Sequence, residues 1–461
     1  MNARAEPRAA DPTGATGAVG TPSGLFADRN FALLWVGQAV SLLGDIVFDT
    51  TLVLWIATTV ARAQSWAPFA VSGVLVAAAL PTLLVGPLAG VFVDRWDRRR
   101  TMLWSDALRA LLILALLPAA GVVALPLVPS GPLPLAWQLG AIYGVVGLAS
   151  ACAQFFNPAR LALTGDVVAE PERGRAAGLE QVTLSLVIVI APAVAAPLFV
   201  AVGIRWALLI DAASFALSFL AVSALHVTPQ PWDMAERAAG VWREFGQGLR
   251  LYATNRVLRT LLVTALIVVL GAGALNALDY FFATTNLHTP LRLYGLLGAG
   301  FGVGSLVGAV LSTLFVKRLG VVRLFWLSIL ALGAIVLVYA RLSSFGPALP
   351  TLALFGLANA AVNVCIGPMV LGATPRAYVG RVSALLMPAI SLASLLSIGI
   401  AGLLVSTVLR RFHATVLGVT FGPIDTVFTV TGLLTLAGGL YAMISLRGVA
   451  LGDDGRTGDG G

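Results

Sequence analysis

Five carboxylates lie inside long apolar stretches of this 461-residue chain: Asp45, Asp49, Glu180, Asp211 and Asp279. An Asp at the centre of a bilayer-spanning helix costs about 2.5–3.5 kcal/mol on insertion scales, so each needs a reason to be there. Asp45 and Asp49 are four residues apart, which puts both on one helix face. Low dielectric disfavours charged carboxylates, and two close together do not readily ionise at once. Such groups take up and release protons, which makes this pair the leading proton carriers. The structural alternative for Asp49 is a hydrogen bond to a neighbour such as Thr50 or a serine. Asp211 is about two turns from a helix end, where it either joins the proton-coupling set or is solvated or capping. Asp279 reads as a contact for a cation or as a solvated acid in an outer vestibule. Glu180 sits near an inner helix end. Asp106 and Arg109 share a turn and are expected to form a local inner-end pair. No basic residue is expected at the depth of Asp45, Asp49 or Asp279.

Polar and aromatic side chains in the same stretches could line a cavity: Gln38, Trp55, Gln154, Asn157, Asn276, Tyr280, Asn359 and Asn363, with Phe155, Phe156, Phe281 and Phe282. Acids set among aromatics suit an amphiphilic, often cationic small molecule. A sugar site would carry more polar groups. His226, His288, His413, Cys152 and Cys365 have no metal-ligand spacing. The sole lysine, Lys317, follows Leu311–Val316, a stretch without glycine, so no phosphate-cradling Walker loop exists. No nucleophile, base and metal constellation appears, so an enzyme is not expected, and no cofactor or metal is implied.

The elements that must position these groups follow from composition. Only 11% of residues are charged and 58% are apolar, against about 25% charged in a soluble domain. A chain of this size could not cover itself with so little polar surface. Twelve apolar runs are legible, at about 30–60, 67–93, 101–126, 135–160, 175–202, 204–226, 257–285, 291–316, 321–341, 348–373, 379–409 and 420–446. Lipid offers the backbone no hydrogen bonds, and the runs lack period-2 alternation, so they are expected to be helices.

The basic residues orient them. With both termini inside, Arg95, Arg98, Arg99, Arg100, Arg160, Arg173, Arg175, the arginines of 237–259, Lys317, Arg318, Arg323 and Arg447 fall in inner segments. The outer loops hold Arg62, Arg205, Arg292, Arg341, Arg410 and Arg411. This positive-inside bias predicts a multi-pass protein of the cell (inner or plasma) membrane with cytoplasmic termini. The net charge of +8 is spread along these loops rather than gathered on one soluble face, so nucleic acid is not an expected partner. Residues 1–28 and 448–461 read as disordered cytoplasmic tails. Residues 227–256 read as a cytoplasmic linker, with Trp242, Phe245, Leu249 and Tyr252 on one face of an amphipathic helix. The linker separates an N-terminal bundle, 29–226, from a C-terminal bundle, 257–447. Arg29, Leu43 and Gly44 recur as Arg256, Leu270 and Gly271 at one offset, and Gly174-Arg175 parallels Gly380-Arg381. Together these matches suggest a parallel repeat of two six-helix units. At that offset Asp45 meets Ala272 and Asp49 meets Asn276, so the shared fold does not demand the acids.

Gly90, Asp94 and Arg98 punctuate the loop Gly86-Pro-Leu-Ala-Gly90-Val-Phe-Val-Asp94-Arg-Trp-Asp97-Arg98. This resembles the loop signature of the major facilitator superfamily, with Asp97 where a second glycine is usual. Leu34-Trp35, Gly37-Gln38, Leu43-Gly44-Asp45 and Phe155-Phe156-Asn157-Pro158-Ala159-Arg160 are similar to the macrolide-efflux and enterobactin-exporter branch of drug:proton antiporters. The resemblance covers about 30–446. It implies an all-α, twelve-helix membrane protein in two pseudo-symmetric six-helix bundles, with Gly90, Asp94 and Arg98 as an inner gate whose partner is the eleventh helix. Asp94 could pair with Arg98 or face a helix N-terminus; a topogenic loop with an incidental Asp is the alternative. Ala191-Pro192-Ala-Val-Ala-Ala-Pro197 resembles an antiporter motif with alanines in place of glycines. The fourth run has no arginine where many proton antiporters carry one, so proton handling is expected elsewhere.

The resulting expectation is a monomeric, proton-coupled exporter of amphiphilic drug-like or macrolide-like compounds, working by alternating access and multidrug in character, with antibiotic resistance as its outcome. Export of a specific siderophore or secondary metabolite, proton symport, or a non-transporting membrane sensor are the alternatives. Its partners are the cargo, protons and membrane lipid.

Overall fold

The computed structural model describes residues 28–93, 95–121, 134–226, 250–252, 254–374, 378–416 and 419–448. Among them, twelve helices are long and apolar enough to cross a membrane. In chain order these are α1 (Arg29–Trp55), α2 (Ala67–Leu84), α3 (Arg98–Leu114), α4 (Leu135–Val167), α5 (Arg173–Val202), α6 (Ile204–Ser223), α7 (Arg256–Thr285), α8 (Tyr294–Leu319), α9 (Val321–Tyr339), α10 (Phe345–Ala373), α11 (Val379–Ser406) and α12 (Pro423–Ser445). A π-helical stretch, Ile56–Val60, extends α1, and a short helix, Gly86–Val93, follows α2. A two-stranded antiparallel hairpin, Ala414–Val416 with Val419–Phe421, precedes α12. The linker residues Trp242, Phe245 and Leu249 lie outside the described residues, as do both tails; Tyr252 is buried, its hydroxyl donating to the Val382 carbonyl at 3.2 Å.

Local chemistry starts and stops the helices. Asp28 caps α1 by accepting from the Asn30 N–H at 2.8 Å, and Asn255 caps α7 by accepting from Val257 N–H at 2.9 Å. These caps stand at the same offset that relates Arg29 to Arg256, and each satisfies an orphan N–H of a first turn. Gly203, between α5 and α6, and Gly320, between α8 and α9, take φ of 75° and 76°. That left-handed conformation lets one residue reverse the chain, which a Cβ would penalise.

Packing repeats between the halves. In the first, α1 packs on α5 and α6, α3 on α4 and α6, and α2 on α4. In the second, α7 packs on α11 and α12, α9 on α10 and α12, and α8 on α10. Each pair recurs six helices later, so the halves are pseudo-symmetric copies. Lipid-facing positions carry large apolar side chains, including Leu84, Leu111, Leu161 and Ile444. Exposed Trp137 and Trp206 mark one membrane boundary and Trp96 and Trp104 the other, as amphipathic indoles do.

Two seams join the halves, α2 with α11 and α5 with α8. Both lie toward the face opposite the one where the described chain begins and ends, called here the far face; the other is the basic face. Ser406 Oγ accepts the Phe69 N–H across the first seam at 3.1 Å. In the second, Gly295, Gly298 and Gly302 of α8 lie against Pro192 and Val189 of α5. A second glycine row, Gly300, Gly304 and Gly308, lets α8 approach α10. Small residues at four-residue spacing allow such close helix approach. A Cβ on Gly295 would stand 1.7 Å from the Pro192 carbonyl oxygen. Gly295→Ala is therefore expected to cost about 1–3 kcal/mol and to push the far-face seam apart. Cysteines placed along that seam should label faster in the variant; unchanged labelling would contradict the prediction.

Candidate functional site

Helix α1 carries the polar face around which the site is built. Gln38, Leu42 and Asp45 share one face and line a cavity of about 340 Å³ in the basic half of the first bundle. Arg109, Phe156, Asn157, Arg160 and Glu180 complete its walls. Asp49 continues the same face one turn further and is exposed. Thr50, next to it, lines a second cavity of about 300 Å³ in the far half, between the bundles. That cavity belongs mostly to the second bundle: Asn276, Asp279, Tyr294, Phe301, Tyr339, Phe355 and Asn359 line it, with Pro192 of α5. Asp45 thus lines the charged cavity, and Asp49 lies one turn further along α1, beside the Thr50 that lines the aromatic, amide-lined one.

Arg109 is where the structure departs most from the sequence expectation. It does pair with Asp106, at 2.6 Å, but not at an inner helix end: its side chain is 6% exposed and that of Asp106 is 0%. Ser218 donates to the other Asp106 oxygen at 2.7 Å. The Arg109 guanidinium lies over the rings of Phe156 and Phe215, 4.5 and 4.3 Å from their centroids. It also acts electrostatically on Asp45 and Asp211. The expectation that no basic group shares the depth of Asp45 is thereby corrected. The signal was present: Arg109 is three turns into α3, about 16 Å from its start at 1.5 Å per residue.

Asp211 is likewise neither solvated nor capping. It is 1% exposed, and among the described residues neither carboxylate oxygen has a hydrogen-bond partner. Nearby Ser214 Oγ donates instead to the Asp211 backbone carbonyl at 2.8 Å. Asp211 packs behind α1 at Gly44, where a Cβ would come within 3.0 Å of Oδ1. Asp279 lines the far cavity and accepts from the Tyr339 hydroxyl at 2.9 Å. Glu180 pairs with Arg160 at 3.1 Å.

The remaining candidates divide. Gln38, Asn157, Asn276 and Asn359 line the cavities, and Asn363 sits behind Asn359, donating to its Oδ1 at 2.7 Å. Asn363 itself lines neither cavity, and three others also lie away from both. Trp55 is 3% exposed in the apolar core of the first bundle. Gln154 turns toward Gly86 and donates to the Ser150 carbonyl at 3.3 Å. Tyr280 packs edge-on against Phe281 and Tyr294 at the junction with Leu54 and Ala196. Periodicity could not separate these from true lining residues, because a face turned to core, cavity or lipid is apolar or mixed in each case. Tyr294, Tyr339, Phe301 and Phe355 were not singled out; single aromatics in a membrane helix carry no distinguishing pattern. In the loop after α2, Asp94 lies outside the described residues, Gly90 belongs to the short helix Gly86–Val93, and Arg98 bridges Asp166 of α4.

Comparison with known proteins completes the picture. The family model described as Major Facilitator Superfamily matches residues 34–397. The MFS-type transporter YkuC of Bacillus subtilis is 24% identical over 396 residues, covering 82% of this chain and 86% of that protein. Macrolide efflux protein A of Streptococcus pyogenes is 27% identical over 292 residues, covering 62% of this chain and 66% of that protein, just under two thirds of its length. Among solved structures, a bacterial homologue of the iron transporter ferroportin in its inward-facing state superposes with a TM-score of 0.68 at 16% identity, covering 92% of this chain and 98% of that one.

Proposed function

The chain belongs to the major facilitator superfamily and is a membrane transporter, and on that premise we propose that it exports amphiphilic, drug-like compounds in exchange for protons by alternating access. The observation that supports this reading is the placement of two acids on one face of α1, Asp45 in the wall of the charged cavity with Arg109 and Asp49 one turn nearer the aromatic cavity around Asp279. A carboxylate so placed can exchange a proton for a cationic cargo, because both compete for the same negative charge. The basic face is taken as cytoplasmic from its arginines. With the far-face seams packed, the conformation is then the one that receives cargo from inside. One proton moving inward releases about 2.3 kcal/mol per 100 mV of membrane potential, and its arrival on α1 favours the conformer that returns cargo-free. The similarity to a macrolide efflux protein points the same way for cargo class.

The far cavity supplies recognition. Phe301, Phe355 and Tyr294 offer ring faces, and Asp279 offers one acid, which together suit a lipophilic cation. Asp279→Asn is expected to weaken binding of a lipophilic cation about tenfold while leaving a neutral amphiphile within about twofold. Equilibrium dye binding in detergent checks this, and equal losses for both ligands would contradict it.

The overall reading is tested in proteoliposomes. An imposed pH gradient should drive uptake of a lipophilic cation dye into vesicles acidic inside, and the dye should release protons from the purified protein in unbuffered detergent. Dye movement indifferent to the pH gradient would remove the proton from the mechanism. Dye movement down the proton gradient's own direction would make the protein a symporter. A susceptibility panel of drugs and siderophores in an efflux-deficient host then distinguishes broad export from export of one metabolite.

A further inference from the structure

Four arginines crowd the start of α3, and two of them tie the first bundle together. Arg98 bridges Asp166 of α4, and Arg99 donates to the carbonyls of Val222 and Ser223 at the end of α6. Arg95 and Arg100 are exposed, and neither has an ion-pair partner among the described residues. Of the two acids nearest in sequence, Asp94 lies outside the described residues, and Asp97 uses its carboxylate to cap α3, accepting the Arg100 N–H at 2.7 Å. Four arginines stand here against Asp94, Asp97 and the Asp166 that Arg98 bridges, so the corner is net positive.

Beneath these two cations runs a groove of about 690 Å³ between α3 and α4, open to the membrane side of the bundle. Its composition is graded. Arg95 and Arg100 stand at the rim with Asp97, whose carboxylate is turned to the α3 cap; the indoles of Trp96 and Trp104 come next, and Leu108, Leu112 and Leu148 lie deeper. Trp96 is a fixed wall, stacked on Phe155 with centroids 5.8 Å apart. Trp104 is 73% exposed, a large apolar area to leave uncovered by anything but lipid. From Arg100 to Leu112 the helix rises about 18 Å, slightly more than half of a hydrocarbon core about 30 Å thick. The groove thus spans one leaflet, from headgroup level to the bilayer centre.

We propose that this groove seats one anionic phospholipid from the leaflet on the basic face, its phosphate held by Arg95 and Arg100 and an acyl chain lying along Leu108, Leu112 and Leu148. Charge complementarity selects a headgroup with net negative charge, since a zwitterionic headgroup brings its own cation against the two arginines. The indoles sit at the depth where such rings meet the headgroup–acyl boundary. The seat is separate from the cargo route, which runs along α1 on the other side of the bundle.

The test is native mass spectrometry of the purified full chain titrated with phosphatidylglycerol or phosphatidylcholine. Wild type should retain one phosphatidylglycerol in preference to phosphatidylcholine. Arg95→Gln with Arg100→Gln should bind it roughly 30-fold more weakly, from two surface arginines each contributing the usual amount. Arg95→Lys with Arg100→Lys should stay within a few-fold of wild type, which separates lost charge from lost folding. Arg410→Gln with Arg411→Gln removes the same charge from the far face and should leave binding unchanged. Equal affinity for both lipids, equal losses in the two glutamine pairs, or full retention by Arg95→Gln with Arg100→Gln would each overturn the seat. A dimer in size-exclusion chromatography that Trp104→Ala dissolves would assign the groove to a second copy of the chain and overturn it as well.

Discussion

Asp49→Asn is expected to reduce proton-driven efflux in everted membrane vesicles by roughly two orders of magnitude, to the level of passive leak, because a proton-transferring group contributes on that scale. The substitution keeps the size and the hydrogen-bonding capacity of the side chain and removes only its ability to exchange a proton. Asp49 is exposed, on the α1 face that carries Asp45 and next to Thr50 of the far cavity. It interacts electrostatically with Asp45 and Asp211, so three acids share one neighbourhood with Arg109 as the nearby cation. Dye binding in detergent should persist in the variant, since Asp279 and the aromatic walls are untouched. Wild-type efflux by Asp49→Asn would remove this residue from the coupling step and shift attention to Asp45.

Arg109→Met is expected to be the most destabilising single change in the first bundle. It leaves Asp106 fully buried beside Ser218 with its charge partner gone, and breaking a buried pair from one side costs about 3–5 kcal/mol. Removing both charges, as Arg109→Met with Asp106→Leu, should restore much of the loss, because two apolar groups can fill a site that one stranded carboxylate cannot. Thermal unfolding in detergent, followed by tryptophan fluorescence, should rank wild type and the double variant well above the single one. A single variant as stable as wild type would mean that Asp106 finds another partner or a proton without cost.

The helical plan was legible because its determinants are local. Length, apolarity and the spacing of arginines set twelve spans, and the observed limits differ from the apolar runs by a few residues at most places. The largest differences are at apolar ends: α2 stops at Leu84 where its run continued to about 93, the rest forming the separate helix Gly86–Val93 that opens on Gly86-Pro87, and α3 stops at Leu114 where its run reached about 126. The site was legible only in part. Asp45, Asp279 and four amides line cavities because an unexplained polar group in a membrane helix has few places to be. Trp55 and Tyr280 were misplaced because an aromatic is at home in core, cavity or lipid. Arg109 and Asp211 were misjudged for a different reason. Arg109 lies three turns into α3 over Phe156 of α4 and Phe215 of α6, and Asp211 is sealed where α6 packs on α1 at Gly44, so neighbouring helices, which the sequence of one helix does not show, set the burial of both.

The row of glycines on α8 carries a consequence for energetics. Where Gly295 meets Pro192, backbone lies on backbone, with no side chain to withdraw from a socket. Parting such surfaces exposes little apolar area, so the work of separation is small per unit of length. A single charge falling through an ordinary membrane voltage delivers only a few kcal/mol. A joint made of interlocked leucines would outlast that supply and hold the machine in one pose. On the proposed proton-coupled reading, bare backbone contact keeps the two poses close enough in free energy for one proton to choose between them.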